Sequence, residues 1–432
     1  MAVTSYISLL TGFEETVGQG IGPNGTTGGT VSTGAEWETA EAGGTAFQIP
    51  HIPSSLSFES LERTVIEAER TKARVFTTDP RVPGLSNAEL SFQSYLTGRG
   101  SALAAGVLAT QTPLSRTLLN CLGGVHYAET CTLAAGGHTT TVVNVDDAST
   151  LAVGAIVAPL DPTTGLAHPR RITDVTALAV TLDRELPFTP ADGNLVLGGA
   201  TLFIDEDVIC DTASNLGSTM SLVGQKGQNG AAGFEMNGCK LGLSSMSFER
   251  NGFATLDLSL MAARFTDPSS GPDPTLPDAV FPNPLAIGPD TQLAIANIGV
   301  TTNTLVCNGA MTVEAGVPVV PIPCMTARTG NMEGYAGYTI EPGDTLVDLD
   351  LYPYATSWFA DYDNEQLKNV SVSRLGASGN IFSVHFPQCE ILNTPKQLNA
   401  DNILRSGVQF RAQEVTGATT ALARSKFVIF LG

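Results

Sequence analysis

In three widely separated places the chain alternates apolar and polar residues with a period of two, and that pattern commits it to half-buried strands. Leu90, Phe92, Ser94 and Leu96 face one way, and Glu89, Ser91, Gln93 and Tyr95 the other. Leu256, Leu258, Leu260 and Ala262 alternate with Thr255, Asp257, Ser259 and Met261. Val347, Leu349 and Leu351 oppose Leu346, Asp348, Asp350 and Tyr352. Leu56 and Phe58 start the same pattern earlier. A chain with these segments needs sheets that each bury one face. Its 45 glycines and 25 prolines supply the turns.

Helices are few. Pro113-Leu114-Ser115 opens LSRTLLNCLGG, where Leu114, Leu118, Leu119 and Leu122 fall at helical spacing and Gly123-Gly124 stop it. Ser357–Leu367 is expected to form a second short helix.

The 432 residues suffice for two or three domains. Residues 1–50 hold nine glycines between Val17 and Thr45 and few large apolar side chains. They are expected to form an extended arm that orders against a neighbouring subunit, with Trp37 and Phe47 as its anchors. Residues 51–133 and 200–267 form one β domain in this scheme. Residues 134–199 are an inserted small β domain, with strands at Thr139–Val145, Ala155–Ala158, Arg171–Val175 and Ala179–Leu182. The insert is expected to be an accessory module whose removal spares the rest. Residues 268–285 are a linker, carrying six prolines between Pro268 and Pro284. Residues 286–432 form a second β domain. An offset of 150 residues aligns Cys239 to Ala262 with Cys389 to Ala412 without a gap, which predicts an internal duplication.

Charge narrows the function. The formal net charge is −20 and only 22 residues are Lys or Arg, with no basic cluster, so a tight grip on nucleic acid is excluded. The seven cysteines form no CxxC pair and are expected to be buried, reduced thiols. No signal peptide or long apolar run is readable, so synthesis in a reducing cytoplasm without a membrane span is expected. The five histidines show no ligand spacing, and His385 is expected to be a sheet residue. Gly224-Gln225-Lys226-Gly227 is expected to be a hairpin loop, and Asp205-Glu206-Asp207 a solvated turn. Asp348 and Asp350 share a strand face but lack the facing cleft and aromatic platforms of a glycosidase. No catalytic constellation and no cofactor are expected.

Several segments, in order, carry a family likeness: GFEETVGQG, LSFESLERTVIEAERTKARVFTT, GLSNAELSFQSYLTGRGS before a short helix, and GNIFSVHFPQCEILNTPKQLNADNILRSGVQFRAQE at the close. Together they resemble the tail tube proteins of long-tailed bacteriophages. The central TTTVVNVDDASTLAVGAIVA and RRITDV resemble the accessory β modules on such tubes. The resemblance implies tandem tail-tube-type β-sandwich or barrel domains, each with a short helix, joined around a ring. It implies a virion protein whose stacked rings conduct DNA past a tape measure protein. A two-domain chain would make the ring from three copies with pseudo-six-fold symmetry; single-domain members use six. Asp348 and Asp350 become candidates for the lumen. The competing readings are another phage assembly protein, such as a baseplate or head-decoration component, and a secreted β-sandwich binding module or adhesin.

Overall fold

The computed structural model describes residues 7–13, 46–60, 63–67, 81–86, 88–209, 220–226, 234–266, 281–298, 305–323, 335–352, 357–393, 396–400 and 403–432. The chain is mainly β, with antiparallel sheets and few helices. The first half contains β1 (Ile7–Phe13), β2 (Ala46–Gln48), β3 (Ser57–Ser60), β4 (Arg63–Glu67), β5 (Arg81–Ser86), β6 (Ala88–Tyr95), α1 (Pro113–Leu122) and β7 (Gly123–Tyr127). Then come β8 (Cys131–Thr132), β9 (Val142–Asn144), β10 (Ile156–Pro159), β11 (Arg170–Thr176), β12 (Ala179–Leu182) and β13 (Leu195–Leu197). They are followed by β14 (Ala200–Ile204), the single turn α2 (Glu206–Ile209), β15 (Met220–Lys226), β16 (Phe234–Glu249) and β17 (Ala254–Thr266). The second half contains β18 (Thr291–Asn297), β19 (Leu305–Val317), β20 (Val319–Pro323), β21 (Tyr335–Ile340), β22 (Thr345–Tyr352), α3 (Ser357–Asp363) and β23 (Lys368–Arg374). It ends with β24 (Phe382–Ile391), β25 (Lys396–Ala400), β26 (Ile403–Ala412), the turn α4 (Ala421–Arg424) and β27 (Val428–Leu431).

The alternating segments build a front layer. Its strands pair in the order β3-β6-β17-β16-β19-β22-β26-β25, so the sheet runs unbroken from the first half into the second. The inward residues Phe92, Leu258, Met246, Val313, Leu349 and Phe410 join one apolar core. A back layer, β18-β23-β24-β27-β14-β7, closes that core from the other side. α1 fills the seam between the layers. Thr112 caps it, accepting from the Ser115 amide at 3.2 Å, and Gly123 ends it at φ 81°, where a side chain would be strained. Asn120 Oδ1 accepts from the Leu241 amide at 2.8 Å, satisfying β16 between the spans that pair with β15 and β19.

The pairing register repeats at the 150-residue offset. Cys239 faces Ala262 and Cys389 faces Ala412; Leu241 faces Leu260 and Ile391 faces Phe410. Beyond Ile391 the match slips by one residue. Phe248 faces Ala254, whereas Asn399, not Leu398, faces Leu404, so the gapless alignment does not extend through the second strand pair. A proline, which cannot donate to a ladder, stands in that interval at position 395.

The insert is a closed barrel of six strands in the order β8-β13-β10-β11-β12-β9, with a Leu133–Val145 bridge joining its ends. It does not hang free. Phe203, Ile381, Leu422, Val428 and Phe430 of the body pack into its apolar cluster, so β14 and β27 are buried on both faces. The expectation of a removable module therefore conflicts with a shared core.

Other expectations shift as well. Ile7–Phe13 and Ala46–Gln48, at the ends of the expected arm, are body strands: β1 pairs with β15 and β2 with β1. Backbone pairing supplies the order that the local composition lacks. The intervening arm residues, including Trp37, and residues 267–280 of the expected linker lie outside the described residues. Gly224–Lys226 belong to β15 rather than to a hairpin loop, because Ile7, Ser8 and Leu9 pair with them; Gly227 lies outside the described residues. Glu206 and Asp207 start the turn α2. The second helix stops at Asp363, short of Leu367.

Neighbouring residues of β19 test the layer assignment. Met311 is buried and Thr312 is exposed. Met311→Ala is expected to lower the unfolding free energy by about 2–5 kcal/mol, and Thr312→Ala to stay within about 0.5 kcal/mol. Urea unfolding followed by circular dichroism measures both.

Candidate functional site: a polar sheet face and a buried charged junction

The outward face of the front layer is polar across both halves. The register sets Gln93, Asp257, Ser245, Glu314, Leu346, Arg411 and Glu390 in one row across the strands. The adjacent row is Tyr95, Thr255, Ser247, Thr312, Asp348 and Gln409. These rows hold the carboxylates Asp257, Glu314, Glu390 and Asp348 against the single cation Arg411. Arg411 is already engaged, since its Nη2 pairs with Glu390 Oε1. Asp257 is held by Gln93 Nε2, which donates at 2.7 Å, and by the Ser245 hydroxyl.

Asp348 is exposed on β22, and Asp350 lies half-buried on the same face opposite Gly407. Both occupy the solvent side of the strand, as the alternation requires. Phe47, the second expected arm anchor, is buried in the chain's own core, with the Arg116 guanidinium 5.3 Å above its ring. Its apolar surface is therefore used inside the subunit.

The second polar cluster lies behind the back layer, where the barrel meets β23 and β24. Asp183 follows β12, and its buried carboxylate gathers donors from three directions. Oδ1 accepts from the Arg171 amide at 3.0 Å. Oδ2 accepts from Arg184 Nε at 3.1 Å and from Asn369 Nδ2 at 3.1 Å. His385 Nδ1 stands 3.8 Å away. Arg170 donates Nη2 to the Glu185 carbonyl at 3.0 Å and Nη1 to the Pro169 carbonyl at 2.8 Å. Arg171 Nη2 reaches the Ala423 carbonyl at 2.6 Å, tying the barrel to α4. Burial alone would raise the Asp183 carboxyl, but the Arg184 and Arg170 charges hold it below its usual value. Burial pushes the His385 imidazole down to about 3.

Burial raises the Cys121 and Cys131 thiols to about 12 and pushes Cys389 up as well, so all three stay protonated and unreactive at neutral pH. Among the described residues no group of His, Cys, Asp and Glu is placed to hold a metal ion, and no helix is long and apolar enough to cross a membrane. The junction corresponds to no local motif, because Asn369 and His385 lie far along the sequence from Arg170, Arg171, Asp183 and Arg184. The available signal was the pair Arg170-Arg171 and the trio Asp183-Arg184-Glu185 flanking apolar barrel strands.

The buried histidines make stability pH-dependent. His385 titrates at about 3 and His168 at about 4 in the folded chain, both lowered mainly by burial. Both return to about 6.5 on unfolding. The unfolded state therefore binds more protons between these limits. Their contribution is fully present above about pH 6.5 and is lost as the pH falls toward the folded values. Urea unfolding free energy is expected to fall by on the order of a few kcal/mol between pH 7 and pH 4, and His385→Phe is expected to flatten that slope.

No protein-family model and no curated protein matches this chain.

Proposed function

We propose that this chain is the structural subunit of a phage tail tube, assembling in rings that stack around a channel for DNA. The observation that carries this reading is the outward face of the front layer. It spans both halves without interruption, and its two central rows hold four carboxylates and one ion-paired cation. Duplex DNA carries about one charge per 1.7 Å of its axis. A wall of free Lys and Arg would release counterions along every ring and hold the duplex; a polar, acidic wall lets it slide. The inserted barrel covers the opposite side of the sandwich, which suits an outer wall. The tandem domains are the two halves that repeat the register, so three chains make a pseudo-six-fold ring.

Negative-stain microscopy and native mass measurement test this. The purified chain is expected to give closed rings or tubes of uniform width with three copies per ring. Six copies would remove the role assigned to the duplication, and a monomer that stays dispersed at high concentration would remove the tube.

The wall assignment has its own test. Asp348→Lys combined with Asp350→Lys is expected to leave tubes intact and to slow genome ejection. The slowing is expected to be greater near 0.01 M salt, where charges act over about 30 Å, than at 0.15 M, where they act over about 8 Å. Unchanged ejection at low salt from particles carrying the double variant would place these residues off the channel.

A further inference from the structure

Where the barrel docks on the body, the buried charges do not balance among themselves. Three guanidiniums are buried there: Arg170 and Arg171 on β11, and Arg184 just after β12. Two carboxylates, Asp183 and Glu185, act on them. Asp161, a further buried carboxylate of the barrel, is taken up by its own turn. Its Oδ1 accepts from the Thr163 amide at 2.8 Å and its Oδ2 from the Thr164 hydroxyl at 2.8 Å, and its charge bears on His168. The His385 and His168 imidazoles, which titrate at about 3 and about 4, are neutral at pH 7 and add no charge. One positive charge is left over, and a buried charge without a counter-charge is strongly disfavoured.

The same surplus appears atom by atom. Arg170 is satisfied: Nε and Nη2 donate to the Glu185 carbonyl at 3.2 and 3.0 Å, and Nη1 to the Pro169 carbonyl at 2.8 Å. Arg184 is not. Only its Nε finds an acceptor, Asp183 Oδ2, while Nη1 and Nη2 are buried without one from the chain, on a side chain 1% exposed. Arg171 spends Nη2 on the Ala423 carbonyl and leaves its buried Nε without an acceptor. His385 is fully buried and bonds through neither ring nitrogen. These groups lie together. Arg184 Nε, Asn369 Nδ2 and His385 Nδ1 stand 3.1, 3.1 and 3.8 Å from one oxygen, Asp183 Oδ2. The charges of Arg184, Arg170 and Arg171 all act on the His385 ring.

We propose that this junction binds one small monovalent anion, chloride, held by the terminal nitrogens of Arg184 with Arg171 Nε and the His385 ring N–H as further donors. One negative charge cancels the surplus. A monatomic acceptor takes hydrogen bonds from any direction, which suits donors that come from both the barrel and the body. The Asp183 carboxylate beside the site disfavours a doubly charged anion by repulsion. Arg171 and Arg184 belong to the barrel and His385 to β24, so the ion is a docking element that couples the two. The inference goes beyond the tube reading and does not depend on it.

Urea unfolding of the full chain tests it, at pH 7, at a concentration that keeps the chain unassembled. Ionic strength is held constant while sodium chloride replaces sodium gluconate, whose anion is too large for the junction. Above the dissociation constant, each tenfold rise in chloride is expected to lower the unfolding constant about tenfold. Bromide is expected to substitute for chloride. Arg184→Met is expected to abolish the dependence. Should that variant fail to fold, the unaltered chain still decides: crystals soaked in bromide are expected to show an anomalous peak beside Arg184 Nη1 and Nη2. Stability indifferent to the identity of the anion, with no such peak, would overturn the site and leave water as the partner of these donors. A peak without any effect of chloride on stability would mean an adventitious ion only, and would overturn it too. A chloride effect that survives in Arg184→Met would place the ion elsewhere.

Discussion

The strand Val428–Leu431 is the element on which the rest of the molecule depends. One edge pairs with β24 of the second half and the other with β14 of the first, so its backbone ladder stitches the halves together at the back. Its two faces serve different cores. Ile429 and Leu431 point into the sandwich, while Val428 and Phe430 point into the inserted barrel. Burying an aromatic or branched side chain contributes about 1.5–3 kcal/mol. Four adjacent residues therefore hold three bodies in one arrangement.

That arrangement gives the two sides of the sandwich opposite properties. The back sheet is covered by the barrel, so β24 is buried on both faces from Phe382 to Cys389: Phe382, Val384 and Phe386 join the sandwich core, and Ser383 and His385 are the buried polar residues between them. Among the described residues the front sheet packs on one side, and its other face is polar. The polar face and the barrel lie on opposite sides of the sandwich.

Where barrel and body meet, packing is polar as well as apolar. Asp183 is the barrel carboxylate on which the Arg171 amide, the Arg184 guanidinium and, from β23 of the body, Asn369 converge. A buried ion cluster of this kind contributes little net stability, because desolvation offsets most of its attraction. Loss of one partner is costly, since the remaining charges stay buried. The cluster therefore fixes how the barrel docks on the body more than it strengthens the fold.

The sequence by itself determined the front strands β6, β17 and β22, their inward and outward faces, and the first helix, but not β19, which joins the two halves of that layer. Each of these is a local property: a period of two at Leu90–Leu96 or Val347–Leu351, and a cap with a glycine stop around Pro113–Gly123. The outward placement of Asp348 and Asp350 followed from the same period, and the 150-residue offset found the strand pair that the register repeats. The back sheet carried no such pattern, because strands buried on both faces do not alternate. Only tertiary structure decided that β1 and β2 leave the expected arm to pair beside β15, that Phe47 lies in its own subunit's core, and that the barrel shares a core with β27. It alone assembled Asp183, Arg170, Arg171, Arg184, Asn369 and His385 into one junction. Pairing partners and buried charges are fixed by residues distant along the chain, and no local period or spacing encodes that proximity.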